Sequence, residues 1–311
     1  MQDSSGAQHP VKTFVSVGEC MVEMSETGGG GYRLGFAGDT LNTAYYARAA
    51  LPENWKVDYC TALGDDHYSA KMLNMFDTHS IGSSRVSIIG GKRPGLYLIR
   101  QEDGDRHFTY WRENAAARQL ADDPARLAQS LEGADLIYFS GITLAILPEQ
   151  ARETLFNAIE KVRKSGALIA FDTNIRPILW PSEDALKSAF RRAAALTDFL
   201  LPTHADEIPC FGDKSPRQTA ERYAGWGAKE VVVKNGEKDA FVLTHEHHWD
   251  VPSVPSVSLV DATAAGDSFN GTYLAHRLAG AAPDAAARLA HKIASIVIGH
   301  RGALVDRALL G

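Results

Sequence analysis

Cysteine is scarce in this chain: three in 311 residues, Cys20, Cys60 and Cys210, each far from the next. They make no metal-ligand spacing and no paired framework, so a disulfide scaffold and a zinc motif are excluded and a reducing, cytoplasmic setting is expected. Long apolar runs are missing too; no stretch reaches the roughly 18 apolar residues that a membrane-spanning helix requires. The opening MQDSSGAQHP is polar and lacks the apolar core of a signal peptide, and residues 1–11 read as a disordered tail. No block of lysine and arginine stands out and the formal net charge is -6, which argues against a general nucleic-acid or anionic-membrane surface. Two phosphate-binding signatures are also absent. In the glycine run 28–31, Arg33 occupies the place of the last glycine of GxGxxG, and no GK[ST] occurs anywhere.

What is present is an ordinary globular composition, long enough for one large α/β domain with a small appendage. Residues 13–18 and 56–63 read as strands, and 40–50 and 67–79 as helices. From about 134 the rhythm is strand then helix: DLIYFSG before 148–164, ALIAFD before 183–195, DFLLP before a further helical stretch, then KEVVVKNG. A hairpin of FVLTH and HHWDVP follows, and helices over about 264–280 and 283–300 close the chain. Apolar strands alternating with helices predict a mainly parallel sheet covered on both faces, with ligands at the carboxyl ends of its strands. Between about 84 and 112 the texture changes. RVSIIGG, GLYLIRQ and RHFTYWR are short, alternating and aromatic, separated by turn chemistry. With residues 20–37 they are expected to form a small antiparallel β-sheet lid.

The richest stretch is DATAAGDSFN, residues 261–270. Ala264, Ala265 and Gly266 precede Asp267, and Phe269, Tyr273, Leu274 and Leu278 then continue a helical apolar pattern. A helix start leaves amide N–H groups unpaired and its dipole favours anions; small side chains let an anion approach. A carboxylate in the same turn, kept ionised near neutral pH by that dipole, can take a proton from a nucleophile. These are the parts that phosphoryl transfer to a hydroxyl uses. The same residues also suit an ordinary capped helix start.

Other constellations carry a similar pair of readings. In FAGDTLN, Gly38 permits close backbone approach, and Asp39 and Asn42 stand three apart at a helix start, facing a sugar or simply capping the helix. Tyr97, Tyr110 and Arg112 lie on the expected lid strands, either reading a small carboxylate ligand or forming an aromatic face with a solvated arginine. Asn174 and Arg176 in FDTNIRP follow an apolar strand where a site should lie, to meet phosphate or carboxylate or to make a turn. Lys234 and Gly236 end another strand, beside a nucleotide's phosphates or in a hairpin turn. HEHH, residues 245–248, has no third ligand and reads as a hairpin edge rather than a metal site. Asn270-Gly271-Thr272 matches a glycosylation pattern but falls inside an expected helix.

Taken together, VGECMVEMSE, GFAGDTLNTA, TALGDD, PGLYLI, FTYWRENAAAR, SGITLAIL, FDTNIRPILW, EVVVKNG and VDATAAGDSFNGTYLA resemble the ribokinase-like (PfkB) carbohydrate kinases over nearly the whole chain. Within that family they are most similar to the members that act on 2-dehydro-3-deoxy-D-gluconate. The resemblance implies a three-layer α/β/α domain over residues 12–311 with a small β lid, and ATP-dependent phosphorylation of that sugar acid's terminal (6-)hydroxyl. It implies Asp267 as base, with the anion hole at Ala264, Ala265 and Gly266. Gly38, Asp39, Asn42, Tyr97, Tyr110, Arg112 and Arg176 would bind the sugar. Asn174, Arg176, Lys234 and Gly236 would surround the nucleotide, with Ala264 and Gly266. Magnesium would accompany ATP without a dedicated metal residue, potassium activation stays open, and a homo-oligomer through the lid is implied. Two departures stand out: Ala262 and Ala264 replace the threonine and first glycine of DTxGAGD, and Thr203 and Asp206 take the place of NxxE, which bears on metal use. A kinase for fructose, ribose or 2-dehydro-3-deoxygalactonate, and a catalytically silent sugar sensor, are the alternatives. The missing GxGxxG speaks against a nicotinamide dehydrogenase.

Overall fold

The computed structural model describes residues 11–102, 105–255 and 259–311; residues 1–10 of the expected disordered tail lie outside them. Strand β1 (Lys12–Val17), buried over its last four residues and apolar there but for Ser16, enters the core at once. A hairpin of β2 (Met21–Gly28) and β3 (Gly31–Ala37) follows, turning at Gly29 and Gly30, whose φ of 61° and 79° a side chain would oppose. Then come α1 (Asp39–Ala50), β4 (Trp55–Cys60), β5 (Ala62–Leu63) and α2 (His67–Thr78), the last capped by the Asp66 carboxylate. β6 (Ser87–Ile88), β7 (Leu96–Glu102) and β8 (Asp105–Trp111) lead to α3 (Pro124–Leu131), capped by Asp123. The alternating half comprises β9 (Leu136–Ser140), α4 (Gly141–Ile146), α5 (Glu149–Lys164), β10 (Leu168–Asp172), α6 (Glu183–Leu196), β11 (Phe199–Leu200), α7 (His204–Phe211), α8 (Pro216–Gly225) and β12 (Glu230–Val233). The hairpin β13 (Ala240–Thr244) and β14 (His248–Val251) precedes α9 (Ala265–Leu278) and α10 (Pro283–Val297).

Eight strands form one sheet in the order β14-β13-β12-β11-β10-β9-β1-β4. β4, β1, β9, β10, β11 and β12 run parallel, and only the terminal hairpin is antiparallel. Alternation along each strand feeds two cores. Phe14, Tyr59, Tyr138 and Val232 face one, with residues of α1, α9 and α10; Val15, Ile137, Phe139 and Phe171 face the other, with residues of α5 and α6. Both faces are therefore covered, as the near-continuous apolar strands required.

A second sheet has the order β3-β2-β7-β8. It is mixed rather than wholly antiparallel, because β2 pairs with β7 in parallel. RVSIIGG does not join it. Ser87–Ile88 pairs instead with Ala62–Leu63, and the 56–63 strand breaks into two pieces to allow this. Register puts Glu23, Tyr97 and Tyr110 on one face and Val22, Leu96 and Trp111 on the other.

Candidate active site

The parallel strands end on one edge, and the segments leaving them converge there with the starts of α1 and α9. They enclose a cavity of about 410 Å³, whose lining includes Gly38, Asp39, Asn42, Tyr97, Tyr110, Arg112, Asn174, Arg176, Lys234, Ala264, Ala265, Gly266 and Asp267. Every residue expected from the sequence to bind substrate or nucleotide lines it except Gly236, which sits in the turn after β12 with φ 63°.

Asp267 sits in the first turn of α9, whose N-cap Ala264 adopts a left-handed conformation, φ 61°. That sharp turn swings the chain into the helix. The Ala265 N–H donates to the Ala262 carbonyl (3.3 Å), and the Ser268 N–H to the Ala264 carbonyl (2.8 Å). In the expected anion hole the Ala265 amide is thus already engaged, while no described acceptor takes those of Ala264, Gly266 and Asp267. Asp267 Oδ2 accepts from Asn42 Nδ2 at 2.8 Å. Burial first, then the Asp39 and Asp172 carboxylates, pushes Asp267 up to about 8, against the pull of Asn42 and Lys234. The expectation that the helix dipole keeps it ionised near neutrality is corrected here. A dipole supplies about 0.3–1 kcal/mol, too little to offset desolvation among like charges.

Gly38 has a specific steric reason: a Cβ there would lie 2.2 Å from the Glu19 carbonyl oxygen. The close approach is to the protein's own backbone and sets the start of α1 against the end of β1. Asp39, pushed upward mainly by burial, accepts from Asn174 Nδ2 at 2.8 Å. Asn174 holds φ 31°, a conformation that non-glycine residues avoid and that functional sites often keep. Lys234 is buried and donates to Asn270 Oδ1 (2.9 Å) and Asp172 Oδ1 (3.2 Å), while Asn270 Nδ2 donates to Asp172 Oδ2 (2.8 Å). Two of the three donors of its ammonium are thus engaged by side chains, one of them Asp172 in the same cavity lining. Asp172 and Asn270 were not singled out as site residues. The Asn270-Gly271-Thr272 run is fully inside, with Asn270 0% exposed.

The small sheet supplies the opposite wall. Tyr97 faces Tyr110 across β7 and β8, ring centroids 5.7 Å apart, with Phe108 stacked on Tyr110 at 6.2 Å. The Tyr97 hydroxyl donates to Glu23, so its ring, not a free hydroxyl, is what lines the cavity. Arg112 is buried and paired with Glu19, another residue the sequence reading passed over. Arg176 is half exposed and 3.9 Å from the Asp206 carboxylate, which burial pushes upward. The His245–His248 segment lies at the exposed β13–β14 hairpin, and the described residues contain no group of three or more metal-ligating side chains.

This geometry places a buried carboxylate, open amides and guanidinium groups around one cavity. The pfkB family carbohydrate kinase profile matches residues 11–307. The chain belongs to the pfkB family of carbohydrate kinases. Among its relatives, this pfkB kinase is 39% identical over 303 residues to the 2-dehydro-3-deoxygluconokinase of Escherichia coli (strain K12), covering 95% of this chain and 98% of that one. It is 38% identical over 301 residues to the 2-dehydro-3-deoxygluconokinase of Dickeya dadantii (strain 3937), covering 94% and 97%. Its fold matches a putative ribokinase II from E. coli, solved in complex with ATP and Mg²⁺, with a TM-score of 0.81 over 94% of each chain at 22% identity. The fold is thus ribokinase-like: a large, mostly parallel sheet between helices, with a small sheet beside it.

Proposed function

We propose that this pfkB kinase transfers the γ-phosphoryl group of ATP to the 6-hydroxyl of 2-dehydro-3-deoxy-D-gluconate, giving ADP and the 6-phosphate. The observation that carries this reading is the pairing, across one cavity, of the Asp267 carboxylate with Arg112 and Arg176. A keto acid is an anion at neutral pH and needs a cationic wall; a neutral sugar does not. The relatives bearing that activity in their names, similar over nearly the full chain, support it.

Asp267 accepts the proton of the 6-hydroxyl as its oxygen bonds to the γ-phosphorus and the bond to ADP breaks. The amides of Gly266 and Asp267 meet the charge on the transferred group. Asn42 holds Asp267, and Asn174 holds Asp39 where a sugar hydroxyl would donate to it. Lys234 fixes Asp172 and Asn270 below. Magnesium would be carried in with the triphosphate and keep mostly phosphate and water ligands; on this wall Asp206 is the oxygen donor that suits such a hard cation, since both oxygens of Asp172 are bonded to Lys234 and Asn270, and the ion would neutralise phosphate charge. The small sheet of β2, β3, β7 and β8, without the 85–91 segment first expected in it, acts as a lid, excluding water from the reacting group.

The outer face of the small sheet supports a homo-oligomer through the lid. Val22, Met24, Leu34, Phe36, Leu96, Leu98 and Trp111 share that face by register. The function is tested by ADP release with a panel of 2-dehydro-3-deoxygluconate, 2-dehydro-3-deoxygalactonate, fructose and ribose. Turnover should be highest with the gluconate-derived acid, and Arg112→Ala should raise its KM without raising that of a neutral sugar. Higher turnover of fructose or ribose would reject the reading. Tight sugar binding with no ADP release would favour a sensor.

A further inference from the structure

Glu19 lies in the connector from β1 of the large sheet to β2 of the small one; Arg112 follows β8, at the far side of the small sheet. Their ion pair, Glu19 Oε2 to Arg112 Nη2, joins the two across the cavity wall. Glu19 is 3% exposed and Arg112 9%. The pair is also incomplete. A carboxylate and a guanidinium can share two parallel hydrogen bonds, yet these share one, and both Glu19 Oε1 and Arg112 Nε are buried without a partner. Leaving buried charged atoms unpaired is costly, so stability alone does not account for the arrangement. Room for it is provided by Gly95, where a Cβ would come within 2.8 Å of Glu19 Oε1.

We propose that Glu19 is a positioning residue for the sugar acid: it anchors the Arg112 guanidinium in the cavity wall by a single nitrogen and leaves the other donors for the substrate's carboxylate. This rests on the reading of the substrate as a keto acid. A long arginine side chain without such an anchor must be ordered by the substrate itself, and that ordering weakens binding. Glu19 also repels an incoming carboxylate, but Arg112 stands paired to it, and the orientation effect is the larger. Glu19 is remote in role from the hydroxyl that reacts, so the effect belongs in KM rather than kcat.

The test is a cycle of Glu19→Gln and Arg112→Ala, singly and together, with ATP and 2-dehydro-3-deoxygluconate. Glu19→Gln should raise the KM for the sugar acid about tenfold, while kcat and the KM for ATP stay within about threefold. In the Arg112→Ala background the same change should add less than about twofold, because nothing remains to position. Glu19→Asp, which keeps the charge, should recover part of the affinity. An unchanged or lowered KM for the sugar acid overturns the proposal, as does an equal rise in the KM for ATP or an additive cycle. Should Glu19→Gln lose its cooperative melting transition, Gly95→Ala, which crowds Oε1, carries the same expectations. A wild type that turns over no sugar acid overturns both this role and the substrate reading. Wild-type turnover with Arg112→Ala impaired and Glu19→Gln unaffected overturns the role of Glu19 alone.

Discussion

Asp267 is asked to be a base while sitting where its charge is disfavoured. Asp267→Asn keeps the shape and the contact with Asn42 but removes the proton acceptor. It should lower kcat by about 10²–10⁴-fold and leave ATP binding near the wild-type value, measured by steady-state kinetics and nucleotide titration. The same substitution bears on stability. With the folded carboxyl at about 8 against an ordinary value of 3.8, the folded state binds more protons than the unfolded state between those values. Stability is therefore lost as pH rises through that window. Asp267→Asn should match the wild type near the acid end and exceed it above the alkaline end, by roughly 1–3 kcal/mol in denaturant titrations. An identical difference at both ends would mean that burial does not raise this group. Its neighbours give a second, opposed pair of outcomes. Asp39→Asn removes a like charge and should move the acid limb of the kcat/KM profile down; Asn42→Ala removes a stabilising donor and should move it up. Shifts in the same direction would break the electrostatic account.

Two helices hold this carboxylate in place, and their spacing depends on one missing methyl group. At Gly271 of α9 a Cβ would lie 2.5 Å from the Thr43 carbonyl oxygen and 2.7 Å from the Ala47 nitrogen, both backbone atoms of α1. Alanine inside a helix is ordinarily better than glycine by about 0.5–1 kcal/mol. Here overpacking against rigid backbone costs about 1–3 kcal/mol and should win. Gly271→Ala is expected to lower the melting temperature, and also kcat, because α1 carries Asn42 and α9 carries Asp267; a variant with higher Tm would show that the helices can separate freely. Elements of this kind were readable in the sequence. The α1 start, the α9 start and the ALIAFD strand announce themselves by turn residues, caps and apolar spacing that act within a few positions. What escaped notice depends on distant partners. Glu19 meets Arg112 93 residues away, and Asp172 meets Asn270 98 away. Lys234 was legible as a site residue but not as one already bonded, since its neighbours lie on β10 and α9. Ser87–Ile88 paired with β5 rather than the small sheet because a two-residue strand carries no register signal of its own.

The molecule divides its chemistry between two sheets. Asp267 and Asp39 start helices packed on the large one and Lys234 follows its strand β12, while Tyr97, Tyr110 and Arg112 come from the small one, so a competent site requires the two to be held together. The small sheet is four strands with one face turned to the cavity. Its other face leaves Leu34 37% and Trp111 51% exposed beside Met24 and Leu98. A sheet this size has little core of its own, and an apolar face open to water is a ready surface for a second copy. Paired through that face by a two-fold axis, two chains would cover each other's lids with the same patch. Charges placed at its exposed positions should separate them without touching the cavity. Leu34→Glu with Trp111→Glu is expected to convert a wild-type dimer to a monomer in sedimentation velocity at micromolar concentration. The loss should carry a raised KM for the sugar acid, because Trp111 precedes Arg112 and an unsupported lid holds that guanidinium less firmly. The ATP KM should move little, since the residues proposed to meet the nucleotide, Lys234 and the turn into α9, lie outside the small sheet. A wild type that sediments as a monomer throughout the range, or a variant that remains dimeric, would remove the lid from the assembly and leave its apolar face to some other role.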